Sequence, residues 1–170
     1  MDDPPHIEVA AFCHRGCVRA NNEDSITVAG WVADVEMSAP RRSRHSLGEP
    51  LLFAVADGMG GHAGGEVATR YAIKRLAAEQ VGEGAADIVA RLALINAELY
   101  QTMTAVPALR GMGTTVVGLL LTATRAAWFN VGPVLSALTG WLTRHKSYGP
   151  SSLASLSDKE EHREHHTRDS

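Results

Sequence analysis

Cysteine, aromatic side chains and net charge are all scarce in this chain, and each scarcity removes a class of protein. Two cysteines, Cys13 and Cys17 in CHRGC, are too few for a disulfide-stapled scaffold. They could form half of a zinc site with His14, but no second pair follows at the usual spacing, so they are read as reduced thiols at the end of a strand. A formal net charge of −3 provides no basic field for nucleic acid. The most apolar run, Val116 to Leu121, is far shorter than the roughly 20 residues that cross a bilayer, and no membrane partner is expected. The opening MDDPPHIEVA is acidic and proline-bearing where a secretory leader would be basic and then apolar, which points to the cytoplasm. No repeat of fixed period is present.

What is present is the composition of a folding chain. Its 170 residues are 45% hydrophobic and 21% charged, enough for one domain with a core. Ile7–Phe12 and Ser25–Val32 are rich in β-branched and aromatic residues and read as strands. Between Met37 and Pro50, MSAPRRSRHSLGEP has four basic groups and no apolar period, which reads as a solvated surface loop. Leu51–Ala56 is a continuous apolar run, a buried strand that stops at Asp57. From Glu66 the period becomes helical, with Val67, Tyr71, Ile73, Leu76 and Ala77 largely on one face, and AADIVARLALINAELYQTMTA continues it after a break at Gly82–Gly84. GTTVVGLLLT, from Gly113, and AAWFNVG, from Ala126, read as a hairpin. Strands, a helical pair and strands again suggest an α+β fold. Beyond Arg144 apolar residues are sparse, and 144–170 is expected to be a disordered polar tail.

The stretch LLFAVADGMGGHAGGEVATRYA admits three readings. Gly58, Gly60 and Ala63 fit the G-x-G-x-x-A form of a dinucleotide turn between strand and helix. Asp57 would then sit beside a pyrophosphate with nothing to neutralise it, and the acid expected some 20 residues later would be Glu79, inside a helical stretch. The glycines could also simply turn the chain. In the third reading, Asp57 at the end of an apolar strand meets a hard divalent cation, magnesium or manganese, and Gly58 lets a main-chain carbonyl approach it. RANNEDS, with Arg19, Glu23 and Asp24 between the first two strands, is a polar turn or a second contribution to the same strand end.

Together GCVRANNEDS (Gly16 to Ser25), LLFAVADGMGGHAGGEVAT (Leu51 to Thr69) and GMGTTVVGLLL (Gly111 to Leu121) resemble the metal-dependent type 2C, or PPM, protein serine/threonine phosphatases, especially the bacterial ones. The resemblance covers about residues 6–132 and implies an antiparallel two-sheet β-sandwich flanked by helices, α-β-β-α, incomplete at its C-terminus. It implies hydrolysis of phosphoserine and phosphothreonine in proteins with two manganese or magnesium ions. Asp57 would bridge the ions, Gly58 would offer its carbonyl, and Glu23 and Asp24 would act through metal-bound water. Arg19 would hold the substrate phosphate and His62 would protonate the leaving alkoxide.

The resemblance fails at FNVGPVL, where Pro133, Val134 and Leu135 replace the aspartate, serine and arginine that usually follow this asparagine and glycine. After Gly132 the only aspartates are Asp158, before lysine, and Asp169, before serine, and neither matches a later metal-binding motif. Residues 133–143 form a divergent segment, and the chain is expected to be a truncated or frame-shifted member with impaired two-metal catalysis. His162, His165 and His166 in the tail are read as part of a solvated end. A non-catalytic phosphoprotein-binding remnant is the alternative function, and a nucleotide-binding module the third. An open sheet edge and an uncovered apolar face would favour self-association.

Overall fold

The computed structural model describes residues 5–59, 63–78, 82, 84–132 and 146–148. Eight strands and two α-helices follow in the order β1 (His6–Ala11), β2 (Asp24–Val28), β3 (Trp31–Ala33), β4 (Arg41–Ser46), β5 (Leu51–Met59), α1 (Ala63–Ala77), α2 (Ala85–Ala105), β6 (Gly113–Leu121), β7 (Ala126–Val131) and β8 (Lys146–Tyr148). Six strands form an antiparallel sheet in the order β3-β2-β5-β6-β7-β8, and β1 pairs with β4 in a second sheet. This is the α+β, two-sheet arrangement expected above.

Alternation along β5 and β6 sorts the large sheet into two faces. Leu52, Ala54, Ala56, Val116 and Leu120 are buried with Phe129 against the helices. From α1, Ala68, Ala72, Ile73 and Leu76 enter this core, and Ile88, Leu92, Ile95 and Leu99 enter it from α2. Their spacings of three, four and seven keep each set on one helical face. Glu66 lies in the first turn of α1 and Lys74 and Arg75 in its last, which complements the helix dipole. Arg75 grips Glu98 of α2 with two hydrogen bonds of 2.9 and 3.2 Å, and Arg91 donates to the Leu76 carbonyl at 3.1 Å.

The opposite face is less covered. Val55 and Val117 lie directly across from one another and are 47% and 51% exposed. The small sheet covers part of this face, since His45 meets the Phe53 ring edge-on at 6.3 Å.

Several boundaries differ from the sequence reading. Arg41–Ser46, read as loop, is a strand paired residue by residue with β1. Ser25–Val32 is two strands joined by a turn in which Ala29 and Gly30 both have positive φ. β5 runs on through Asp57 to Met59, and α1 begins at Ala63, not Glu66. Lys146–Tyr148, read as part of the tail, pairs with Trp128–Ala126. The remaining tail with His162, His165 and His166, the divergent segment 133–143, and Gly60, His62 and Glu79 lie outside the described residues.

Asp34, just past β3, holds α1 to the sheet edge through Lys74 Nζ at 2.8 Å and Arg70 Nε at 3.2 Å. The Lys74 hydrogen bond outweighs partial burial and holds the Asp34 carboxyl below its ordinary range. A depressed carboxylate contributes stability that is whole above the unfolded value, about 3.9, and lost as pH falls through the folded one. Asp34→Asn is therefore expected to lower stability at neutral pH by about 0.5–1 kcal/mol, as befits a half-exposed pair. Urea titrations of the two proteins should converge once the medium is acidic enough to protonate Asp34.

Candidate metal and phosphate site

Strand register builds the site. β2 and β5 place Asp24 opposite Asp57, and β6 places Thr115 opposite Asp57 and Thr114 opposite Gly58. Their neighbours Ser25 and Ala56 are buried on the helix side, so the two carboxylates share the other face. Ionised carboxylates only accept hydrogen bonds, so this pair cannot satisfy itself. Among the described residues the buried Asp24 Oδ1 has no hydrogen-bond partner. Burial, and after it the charge of Asp57, push the Asp24 carboxyl above its ordinary range, with Arg19 pulling the other way. A proton or a cation between the two acids would relieve the conflict.

The backbone around Asp24 is pinned. Its N–H donates to Asn22 Oδ1 at 3.2 Å, Asn22 Nδ2 donates to Cys13 Sγ at 3.1 Å, and the Cys13 thiol donates to the Asp24 carbonyl at 3.6 Å. Burial pushes the Cys13 thiol up, which keeps it a protonated structural group. Gly58 N–H donates to the Glu23 carbonyl at 3.1 Å, tying the RANNEDS turn to the end of β5. The buried Thr114 hydroxyl lies 3.0 Å from the Asp57 carbonyl oxygen and fixes β5 from the other side.

Arg19 is exposed, and its charge reaches Asp24. It makes no hydrogen bond or ion pair among the described residues, unlike Arg15, Arg70 and Arg75. Its fork is free for an anion. Arg19, Glu23, Asp24, Asp57 and Gly58 are thus gathered at one end of the β2–β5 pair. The CHRGC half-site does not form: Cys13 is buried, Cys17 is exposed, and His14 Nε2 is 2.8 Å from Glu36. Among the described residues no three His, Cys, Asp or Glu side chains converge as a metal cage.

Asn22 and Thr114 were not singled out from sequence, and Cys13 was read only as a reduced thiol at a strand end. An asparagine two residues before an aspartate is a signal for a side chain that caps its own turn, and Asn22 does so. The link from Cys13 is a tertiary contact with no local pattern.

The two-sheet α+β fold is shared with solved serine/threonine phosphatases. No family model matches the chain. It is 34% identical over 130 residues to the serine/threonine protein phosphatase PstP of Mycobacterium tuberculosis, covering 74% of this chain and 21% of that protein. The solved catalytic domain of PstP in complex with two manganese ions superposes with a TM-score of 0.54 at 34% identity, over 75% of this chain and 48% of that one. Serine/threonine phosphatase Stp1 from Staphylococcus aureus gives a TM-score of 0.53 at 25% identity, over 78% and 49% respectively. The chain belongs to the PPM family of protein serine/threonine phosphatases. It spans about a fifth of the length of the curated relative and about half of the solved domains.

Proposed function

We propose that this strand end binds phosphoserine and phosphothreonine of protein substrates and supports slow, metal-dependent removal of the phosphate. The buried Asp24 Oδ1 beside Asp57 and the fork of Arg19 at the same end, both without a hydrogen-bond partner among the described residues, carry this reading.

The residues present fit a hard divalent cation, because every donor is oxygen and a buried carboxylate oxygen lacks a partner. Asp57 and the Gly58 carbonyl would hold manganese or magnesium, with Asp24 and Glu23 reaching it through water. When bound, the ion supplies a Lewis acid and lowers the pKa of water. Arg19 donates two N–H groups to phosphate oxygens and sets the phosphorus in line. Asp24 and Glu23 accept hydrogen bonds from the attacking water and orient it. As the water oxygen bonds to phosphorus, the bond to the serine or threonine oxygen breaks, and His62 gives that oxygen its proton.

With so few protein oxygens among the described residues, a divalent ion would be weakly held and turnover would be slow. The name and bound manganese of PstP support the class of reaction and the choice of metal. A nucleotide-binding module is the weaker reading, because a pyrophosphate beside Asp57 would meet an uncompensated carboxylate.

Phosphate release from a phosphoserine peptide with manganese tests the proposal. Arg19→Ala is expected to weaken phosphopeptide binding at least tenfold, the loss of about one bidentate contact. Equal binding by both proteins would refute it, and binding without release would make the chain a phosphoprotein-binding module.

The exposed Val55–Val117 pair also supports self-association of the chain. Val117→Lys is expected to suppress concentration-dependent growth in light scattering and to leave the melting temperature nearly unchanged.

A further inference from the structure

The loop that carries Arg19 holds apolar side chains in solvent on an ordered frame. Phe12 is 49% exposed, Val18 96% and Val35 62%. Hydrogen bonds and ion pairs tie the frame beneath them. Gly16 N–H donates to His14 Nδ1 at 3.0 Å, so the other ring nitrogen, 2.8 Å from Glu36 Oε1, carries the proton and donates. Phe12 stacks on the same ring at 5.7 Å. Arg15 joins Glu36 at 3.3 Å to the Ala20 carbonyl at 2.9 Å, and Met37 N–H donates to the Cys13 carbonyl at 2.9 Å. These contacts link the loop to Glu36 and Met37, and Cys13 links it to Asp24 at 3.6 Å.

Charge decides what this body can receive. His14 and Arg15 both engage Glu36, and Arg19 is the cation of the loop pair without an ion-pair partner among the described residues. Val18 directly precedes it. An anion at Arg19 would thus have the exposed Val18 next to it in the chain, and a partner that buries Val18, Phe12 and Val35 gains hydrophobic contact.

We propose that Phe12, Val18 and Val35 form a specificity rim that selects phosphorylated chain segments carrying a large apolar side chain next to the phosphorylated residue. This deepens the function proposed above and rests on phosphate binding at Arg19.

The whole chain, with magnesium present, is titrated by fluorescence anisotropy with peptides bearing a non-hydrolysable phosphonate in place of phosphoserine. The peptides differ only in flanking residues, leucine or glycine. The leucine peptide is expected to bind about tenfold tighter, the worth of a partly buried apolar side chain. Val18→Ser and Val35→Ser should each cut that preference to about threefold or less, with binding of inorganic phosphate unchanged. Equal affinity for both peptides, or binding of inorganic phosphate with no binding of either peptide, overturns the rim. If Arg19→Ala leaves peptide and inorganic phosphate binding untouched, the phosphate site itself is wrong. Those two failures are distinguishable.

Discussion

Asp57→Asn is expected to erase the rise in melting temperature that manganese or magnesium gives the protein and, at the same time, to raise the melting temperature in chelator. The two signs follow from one arrangement. Asp24 and Asp57 face each other across paired strands, Asp24 is partly buried, and one of its oxygens has no hydrogen-bond partner. Without a cation the second carboxylate is a like charge against a poorly solvated one, and an isosteric amide removes the repulsion and can donate to Asp24. That relief is worth about 1 kcal/mol, or roughly 3–5 °C for a domain of this size. With a cation the sign reverses, because a ligand at about a hundred times its dissociation constant stabilises the folded state by about 2.7 kcal/mol. The amide cannot replace the carboxylate in that role. Differential scanning calorimetry in chelator, manganese and magnesium separates these terms. The magnesium arm matters because imidazoles of His162, His165 and His166 prefer softer ions, and a manganese shift that survives in the variant would place the ion there. A magnesium shift that survives would remove Asp57 from the site.

The arrangement was partly legible beforehand, and the line between legible and hidden is physical. β5 could be read because its apolar run is continuous, as suits a central strand, and Asp57 stood out as the charge that ends it. Arg19, Glu23 and Asp24 could be named because they lie in one short motif, but the sequence could not say that Asp24 stands opposite Asp57. That fact belongs to strand register. β4 was hidden for a different reason. Its exposed residues Arg41, Arg42, Arg44 and Ser46 and its half-buried residues Ser43 and His45 are all polar, so no apolar alternation marks it. Arg41 is held 4.6 Å over the Trp31 ring, and His45 is hydrogen-bonded to Ser43 and set against Phe53. Trp31 and Phe53 lie on other strands, so no local pattern reveals these contacts. The turn at Ala29–Gly30 was missed because alanine rarely adopts positive φ, and the run looked like one strand.

Gly58→Ala is expected to destabilise the protein by about 3 kcal/mol or more, against about 1 kcal/mol for Gly16→Ala. The comparison separates two uses of glycine. Gly16 has a φ of +78° and open space around it, so a methyl group there meets only the intrinsic cost of left-handed backbone. At Gly58 an added Cβ would lie 2.6 Å from Gly65 C, 2.7 Å from Gly65 O and 2.8 Å from Glu23 O. All three are main-chain atoms, so no rotamer change relieves the overlap and two segments must move. Those segments are the first turn of α1 and the turn carrying Glu23 and Asp24. Gly58 N–H donates to the Glu23 carbonyl, so the methyl group would also strain the bond that seats this turn on β5. The methyl group would therefore disturb both the seat of the helix on β5 and the turn that leads into Asp24. Urea denaturation should show the larger loss at Gly58, and isothermal titration of the folded fraction should show magnesium affinity falling with it. Were Gly58→Ala no more harmful than Gly16→Ala, the close approach of α1 to β5 would not be what assembles the site.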